Sequence, residues 1–224
     1  MSYQIAIDGP AGAGKSTIAK LVSKEMNFVY VDTGAMYRAL ALYCLNEGVD
    51  KDDEAKVVSL CMNADVSIKY IGGEQAVFLN GENVNGLIRT EEVGNMASAT
   101  SVNADVRKKL VELQQKLAAK ENVVMDGRDI GTVVLPNAEV KVYLTASSAE
   151  RARRRYLELQ AKGETESLEK IEADIIERDH RDMTREISPL KQAEDAILVD
   201  SSDMTIDEVV DTLMTLVKKA SENR

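Results

Sequence analysis

Gly9-Pro10-Ala11-Gly12-Ala13-Gly14-Lys15-Ser16-Thr17 has the spacing Gly-x-x-x-x-Gly-Lys-[Ser/Thr], and its neighbours decide the fold. Tyr3-Gln4-Ile5-Ala6-Ile7 precedes it and reads as a buried strand. Ile18, Leu21, Val22 and Met26 follow at helical spacing on one face. Strand, glycine loop and helix together form a phosphate cradle. Backbone N–H groups turn inward around an anion, and the helix N-terminus adds partial positive charge. Lys15 is placed to reach the β- and γ-phosphates of a nucleotide, and the Ser16 hydroxyl to ligate Mg2+.

Composition narrows the class. The chain has 224 residues, enough for one good-sized α/β domain with insertions. No apolar run approaches the ~18 residues of a membrane helix. A strand pattern starts within the first few residues and no glycine follows Met1, so neither leader nor myristoyl anchor is expected. Net charge is −10, which disfavours nucleic acid and anionic membranes as partners. Cys44 and Cys61 show no metal or redox spacing and are expected to be buried thiols of a cytoplasmic protein. The single histidine, His180, argues against a Ser–His–Asp hydrolase and a His-rich metal site. A monomer is the default.

Five apolar runs, at 5–8, 28–32, 123–126, 140–144 and 197–200, alternate with helical patterns. Near-continuous apolar strands of this kind predict a five-stranded parallel sheet covered on both faces. Ligands bind beyond the strand C-termini of such sheets, where Asp8, Asp32, Asp126 and Asp200 fall. Turn and cap roles are the preferred readings of Asp8 and Asp200. Residues 63–100 break the alternation. Val66, Ile68 and Tyr70 alternate with polar residues, Gly72-Gly73 marks a turn, and Asn80-Gly81 follows a second short run. This predicts a small antiparallel β insert, followed by one long helix over 102–120. The polar segment 161–166 reads as a mobile flap, and Ile206, Val209, Val210, Leu213 and Val217 form the apolar stripe of a last helix.

Arginines concentrate in two helical patterns. Arg151, Arg154 and Arg155 share one face near 147–160, with Arg153 elsewhere. Arg178, Arg181 and Arg185 share a face near 168–187, with Asp182 among them. Like charges at these spacings destabilise a helix, so an anionic ligand or carboxylate partners must offset them. Beside a phosphate loop, closing arginines suit phosphoryl transfer, where positioning and charge stabilisation do most of the work. A phosphate acceptor is already ionised and needs no general base, which agrees with a chain almost free of histidine.

Four segments together resemble the bacterial cytidylate kinases. They are the glycine loop, Asp32-Thr33-Gly34-Ala35-Met36-Tyr37-Arg38, Asp126-Gly127-Arg128-Asp129-Ile130-Gly131-Thr132 and Glu177-Arg178-Asp179-His180-Arg181-Asp182. The resemblance spans essentially the whole chain. It implies one P-loop kinase domain over 1–224, with a core at 1–35, 120–150 and 186–224. It further implies a CMP-binding region with the insert at about 36–110 and a lid at about 151–170. By this resemblance ATP is the phosphoryl donor, Mg2+ the cofactor and CMP or dCMP the acceptor. Lys15, Arg128, Arg154 and Arg155 would act on the transferring group. Ser98, Arg107 and Asp129 would read cytosine, and Arg128 would hold the acceptor phosphate. Arg178, Asp182 and Arg185 would contact its sugar and phosphate, while Thr33, Tyr37 and Arg38 would line the acceptor pocket. Thr33 stands where the family often has serine, and either hydroxyl serves.

Cytosine presents an N4–H2 donor beside acceptor atoms, which Asp129 could read, whereas uracil presents an acceptor there. Another small P-loop kinase, for shikimate or dephospho-coenzyme A, is disfavoured by the insert and the Asp-Gly-Arg-Asp segment. A nucleotide-hydrolysing regulatory switch is disfavoured because no guanine-reading Asn-Lys-x-Asp motif occurs.

Overall fold

The structure is a computed structural model that describes residues 2–222. It divides into two compact units. One combines the chain up to Val29 with the chain from Glu121 onward, and the other spans Tyr30–Lys120.

The chain enters through β1 (Gln4–Asp8), α1 (Lys15–Met26) and β2 (Val29–Asp32). The Tyr30–Lys120 unit continues with α2 (Thr33–Asn46), α3 (Glu54–Asn63), β3 (Val66–Ile71), β4 (Glu74–Leu79), β5 (Glu82–Asn83), α4 (Glu91–Thr100) and α5 (Ala104–Ala118). The first unit resumes with β6 (Val123–Gly127), a π-helical turn (Ile130–Val134), β7 (Val140–Thr145), α6 (Ser148–Ala161), α7 (Leu168–Thr184), β8 (Ile197–Asp200) and α8 (Ile206–Glu222).

The five-stranded sheet has the order β2-β6-β1-β7-β8. β1 runs parallel to β6 and β7, with Ile5 opposite both Val124 and Val140. Ile5, Ile7, Val123, Val124 and Met125 are completely buried, as expected for strands covered on both faces. Burying each such side chain contributes roughly 1.5–3 kcal/mol. α1 ends where Asn27 turns left-handed (φ 53°) and the Asn27 and Phe28 amides donate back to Lys24 and Ser23 carbonyls. That closure aims the chain into β2. α8 lies on α1 and β7 through Val209, Val210, Leu213 and Val217. Ile206, expected on that stripe, is instead exposed at the helix start.

In the Tyr30–Lys120 unit, β3-β4-β5 form the antiparallel insert. Asn80 (φ 50°) and Gly81 (φ 87°) make a two-residue turn of the kind that matches strand twist. Met36, Ala39, Leu40, Cys44, Val77, Leu79, Ile88, Val106 and Leu110 share one core. Cys44 and Cys61 are both buried thiols, as expected.

Three local expectations are corrected. The helix expected over 102–120 begins only at Ala104, because the Asn103 side chain accepts from the Asp105 and Val106 amides and caps it. A separate helix, α4, precedes it and is capped by Thr90. The second arginine helix stops at Thr184 rather than 187, so Arg185 lies beyond it in extended backbone.

Candidate functional site

The glycine loop joins β1 to α1. Gly9 has φ 150°, and a Cβ there would run into the Leu144 carbonyl oxygen, so only glycine fits. Gly14 occupies the cap position of α1 with no side chain to satisfy the first helical amides. That leaves them available to an anion. Lys15 is buried, and its Nζ donates to the Pro10 carbonyl at 2.6 Å. Burial and the nearby Arg128 charge push the Lys15 ammonium down to about 7, against the opposing pull of Asp126, Asp8 and Asp182.

Ser16 Oγ donates to Asp126 Oδ2 at 3.0 Å, and Asp126 is itself buried at the end of β6. A hydroxyl and a carboxylate side by side at a phosphate loop form a hard-oxygen pair suited to Mg2+. Among the described residues no group of three or more His, Cys, Asp or Glu side chains could hold a metal by itself. Phosphate oxygens and waters would have to complete the shell, which is how this ion is usually held.

Beyond β6, Arg128 Nε donates to Asp182 Oδ2 at 2.9 Å, and Arg185 Nη1 lies 3.7 Å from Asp182 Oδ1. Burial opposes ionisation of Asp182, yet the Arg128, Arg178 and Arg185 charges outweigh it and hold the carboxyl below its usual range. Arg185 reaches this group despite lying off the helix, because its Nε donates to the Ser188 carbonyl in the turn that follows. Asp129 is buried at the head of the π-helical turn but its side chain does not cap it. Asp8 does the anchoring instead, accepting from the Ile130 amide at 2.8 Å and the Gly131 amide at 2.7 Å. Its burial pushes it up to about 6 even against those two amides. Asp8 is therefore structural, as read, but through a long-range clamp rather than a local turn. Asp200 keeps the turn role, accepting from the Ser202 amide and hydroxyl.

The first arginine face divides. Arg151 is buried against Asp179. Arg154 bonds Glu150 and the Ser201 carbonyl, and the more exposed Arg155 pairs with Glu158. Arg153 turns outward to Glu150. Carboxylates thus supply the charge balance that the spacing called for.

In the Tyr30–Lys120 unit, Asp32 caps α2 by accepting from the Ala35 amide, which buries Thr33 in the first turn. One turn on, the Arg107 guanidinium lies over the Tyr37 ring at 5.4 Å and donates to the Ser101 carbonyl. Arg38 Nη1 donates to the Ile88 and Thr90 carbonyls. Gly94 leaves room for that guanidinium, since a Cβ would come within 2.9 Å of it. Ser98 Oγ is buried and meets no hydrogen-bond partner among the described residues, an arrangement that fits a polar ligand.

Sequence reasoning left three site neighbours unassigned. Asp126 was placed at the sheet edge without a metal role, though its place at a strand end beside the phosphate loop was the available signal. Arg151 stood in an arginine face and Asp179 inside a quoted motif, but nothing in their spacing announced that they pair.

A phosphate loop opening a parallel sheet, with a Ser–carboxylate pair and convergent arginines, defines a P-loop kinase. Solved structures agree on the fold: a shikimate kinase from Bacteroides thetaiotaomicron superposes with TM-score 0.50 at 14% identity, covering 96% of this chain and 98% of that one. The sequence model of the family "Cytidylate kinase" matches residues 5–219, and the chain belongs to that family. A cytidylate kinase of Lactobacillus johnsonii is 49% identical over 220 residues, 98% of this chain and 96% of that protein. One of Carboxydothermus hydrogenoformans is 50% identical over 221 residues, 98% and 99% of the two chains.

Proposed function

We propose that the chain transfers the γ-phosphoryl group of ATP to CMP or dCMP, releasing ADP and CDP or dCDP. The observation that carries this reading is family membership over residues 5–219. In the reaction, an oxygen of the acceptor phosphate bonds to the γ-phosphorus while the bond from that phosphorus to the β–γ bridging oxygen breaks. The acceptor is already anionic, so no general base is required.

The residue roles follow from charge and hydrogen bonding. The Gly9–Thr17 loop binds the donor phosphates through its backbone amides, Pro10 having none and that of Ala11 bonding Asp179, and Lys15 neutralises charge on the transferring group. Ser16 and Asp126 would hold Mg2+, which screens charge on the β- and γ-phosphates when bound. Arg128 orients the acceptor phosphate, and Arg154 and Arg155 add positive charge from the lid side. Asp182 keeps Arg128 and Arg185 oriented, and Arg178 and Arg185 contact the sugar and phosphate. Asp129 accepts from cytosine N4. Thr33, Tyr37, Arg38, Ser98 and Arg107 are the further acceptor contacts that the family resemblance implies. No helix among the described residues is long and apolar enough to cross a membrane. A cytoplasmic monomer is the working assignment.

The test is release of ADP from Mg·ATP with CMP, dCMP, UMP, AMP, GMP, shikimate and dephospho-coenzyme A offered separately. Fast turnover with CMP and dCMP and slow turnover with UMP is expected. ADP release independent of any acceptor would instead identify a hydrolase.

The connection between α6 and α7 offers a separate test. α6 closes at Ala161 with Gly163 in left-handed backbone, and Ser167 caps α7. This short turn carries lid closure in the proposed cycle. Cleavage by a protease within 161–166 is expected to slow only when both nucleotides are bound. Equal protection by ATP alone would reject closure on the ternary complex.

A further inference from the structure

Ala11, inside the phosphate loop, is gripped on both sides of its backbone by the α6–α7 pair. Its amide donates to Asp179 Oδ1 at 3.2 Å, and its carbonyl accepts from Arg151 Nη1 at 2.8 Å. Arg151 Nη1 also lies 2.6 Å from Asp179 Oδ2, which closes a ring of contacts through the loop. Arg151 Nε donates to the Ala146 carbonyl at the end of β7, so the guanidinium is fixed from a second direction. A Cβ added at Gly12 would meet Arg151 Cβ at 3.4 Å, so the loop runs close past this side chain. Both charged residues are buried, at 6% and 8% exposure. Ala152, Leu159, Ile171 and Ile175, with Tyr156 against them, make a small core that joins α6 to α7. The two helices therefore hold Arg151 and Asp179 in one frame.

A buried ion pair is a poor source of net stability, since apolar residues of similar volume often do as well. Its geometry is what it contributes. We propose that Arg151 and Asp179 are positioning residues that fix the Ala11 peptide, set the loop amides for the donor phosphates, and couple the α6–α7 pair to donor binding. The inference rests on the reading of Gly9–Thr17 as the ATP phosphate site. It predicts an effect on ATP and not on the acceptor.

The test compares the wild-type protein with Asp179→Asn and with the apolar double variant Arg151→Met/Asp179→Leu. Asp179→Asn keeps an oxygen for the Ala11 amide but removes the partner of Arg151. The double variant removes both grips while leaving no unpaired buried charge. For both variants, KM for ATP is expected to rise about tenfold or more, with KM for CMP within about twofold of wild type. The Ala11 and Gly12 amide NMR resonances are expected to shift in both. A merely structural role would lower the melting temperature and the active fraction, moving kcat and leaving KM for ATP alone. An unchanged KM for ATP in the folded variants, or an equal rise for CMP, overturns the proposal. If the double variant fails to fold, Asp179→Asn alone decides by the same criteria. A wild-type titration separates the two levels of the argument. If ATP leaves the Ala11–Thr17 amides unmoved, the phosphate-site reading itself fails. If they move while the variants keep wild-type KM for ATP, only the positioning role fails.

Discussion

Replacing Lys15 with methionine will lower kcat for CMP phosphorylation by about 10³-fold, while the folded protein becomes no less stable at pH 7. The two effects have one cause. Lys15 carries a buried ammonium whose Nζ donates to the backbone oxygen of Pro10, in a site that also holds Arg128. Burial and that like charge lower it from 10.5 to about 7. The charged form is therefore costly in the folded chain, on the order of a few kcal/mol. Below about 7 the side chain is protonated in both folded and unfolded states, and the full cost is present. As pH rises from about 7 towards 10.5 the unfolded state binds more protons, so wild-type stability rises relative to a chain without the amine. Methionine keeps the apolar stem, removes the charge, and forfeits one hydrogen bond to Pro10 worth about 1 kcal/mol. The variant's advantage in melting temperature should thus be largest near pH 7 and shrink by pH 9. A triphosphate placed against Lys15 reverses the balance and draws a proton onto the amine. ATP binding at pH 8 should accordingly take up protons, seen as a buffer-dependent binding enthalpy that the variant lacks. Turnover within tenfold of wild type would reject the role of Lys15 in charge stabilisation.

Local patterning carried most of the fold. The strand runs, the two turns of the insert and the last helix were legible because each depends on residues within a few positions of one another. The glycine loop was legible for the same reason. Contacts between distant residues were not. Ser16 and Asp126 meet across 110 positions, Asp8 and Ile130 across 122, and Ala11 and Asp179 across 168. No spacing rule connects such pairs, and only the assembled sheet brings them together. Asp8 shows the consequence. As a strand-end aspartate it read as a turn residue, but the parallel register sets its carboxylate against the amides that open the π-helical turn. The missed helix α4 is different in kind. Residues 63–100 read as one antiparallel insert, and Thr90 ahead of Glu91-Glu92 was the local cap signal for a helix inside that stretch.

Replacing Asp129 with alanine will lower the preference for CMP over UMP, measured as the ratio of kcat/KM values, by about 10- to 100-fold. Asp129 lies two residues beyond β6, and the next two amides are clamped by the Asp8 carboxylate. Its backbone is therefore held in place, and its buried side chain is not committed to capping the turn that it heads. A fixed carboxylate discriminates between the two pyrimidines through the sign of one contact. Cytosine N4–H2 donates to it, and uracil O4 repels it and leaves both acceptors without a donor. Alanine removes attraction and repulsion together. CMP should lose most of the affected kcat/KM, while UMP should change little or improve. Asparagine makes a sharper test, because its amide can donate to O4 as well as accept from N4. Asp129→Asn should raise kcat/KM for UMP above wild type while still lowering it for CMP. KM for ATP should stay within about twofold in both variants, since the carboxylate acts on the acceptor alone. A CMP:UMP ratio unchanged in the alanine variant would move base selection to other residues. A parallel loss with both pyrimidines would recast Asp129 as a support for Arg128, one position before it, and so as a determinant of phosphate geometry rather than of the base.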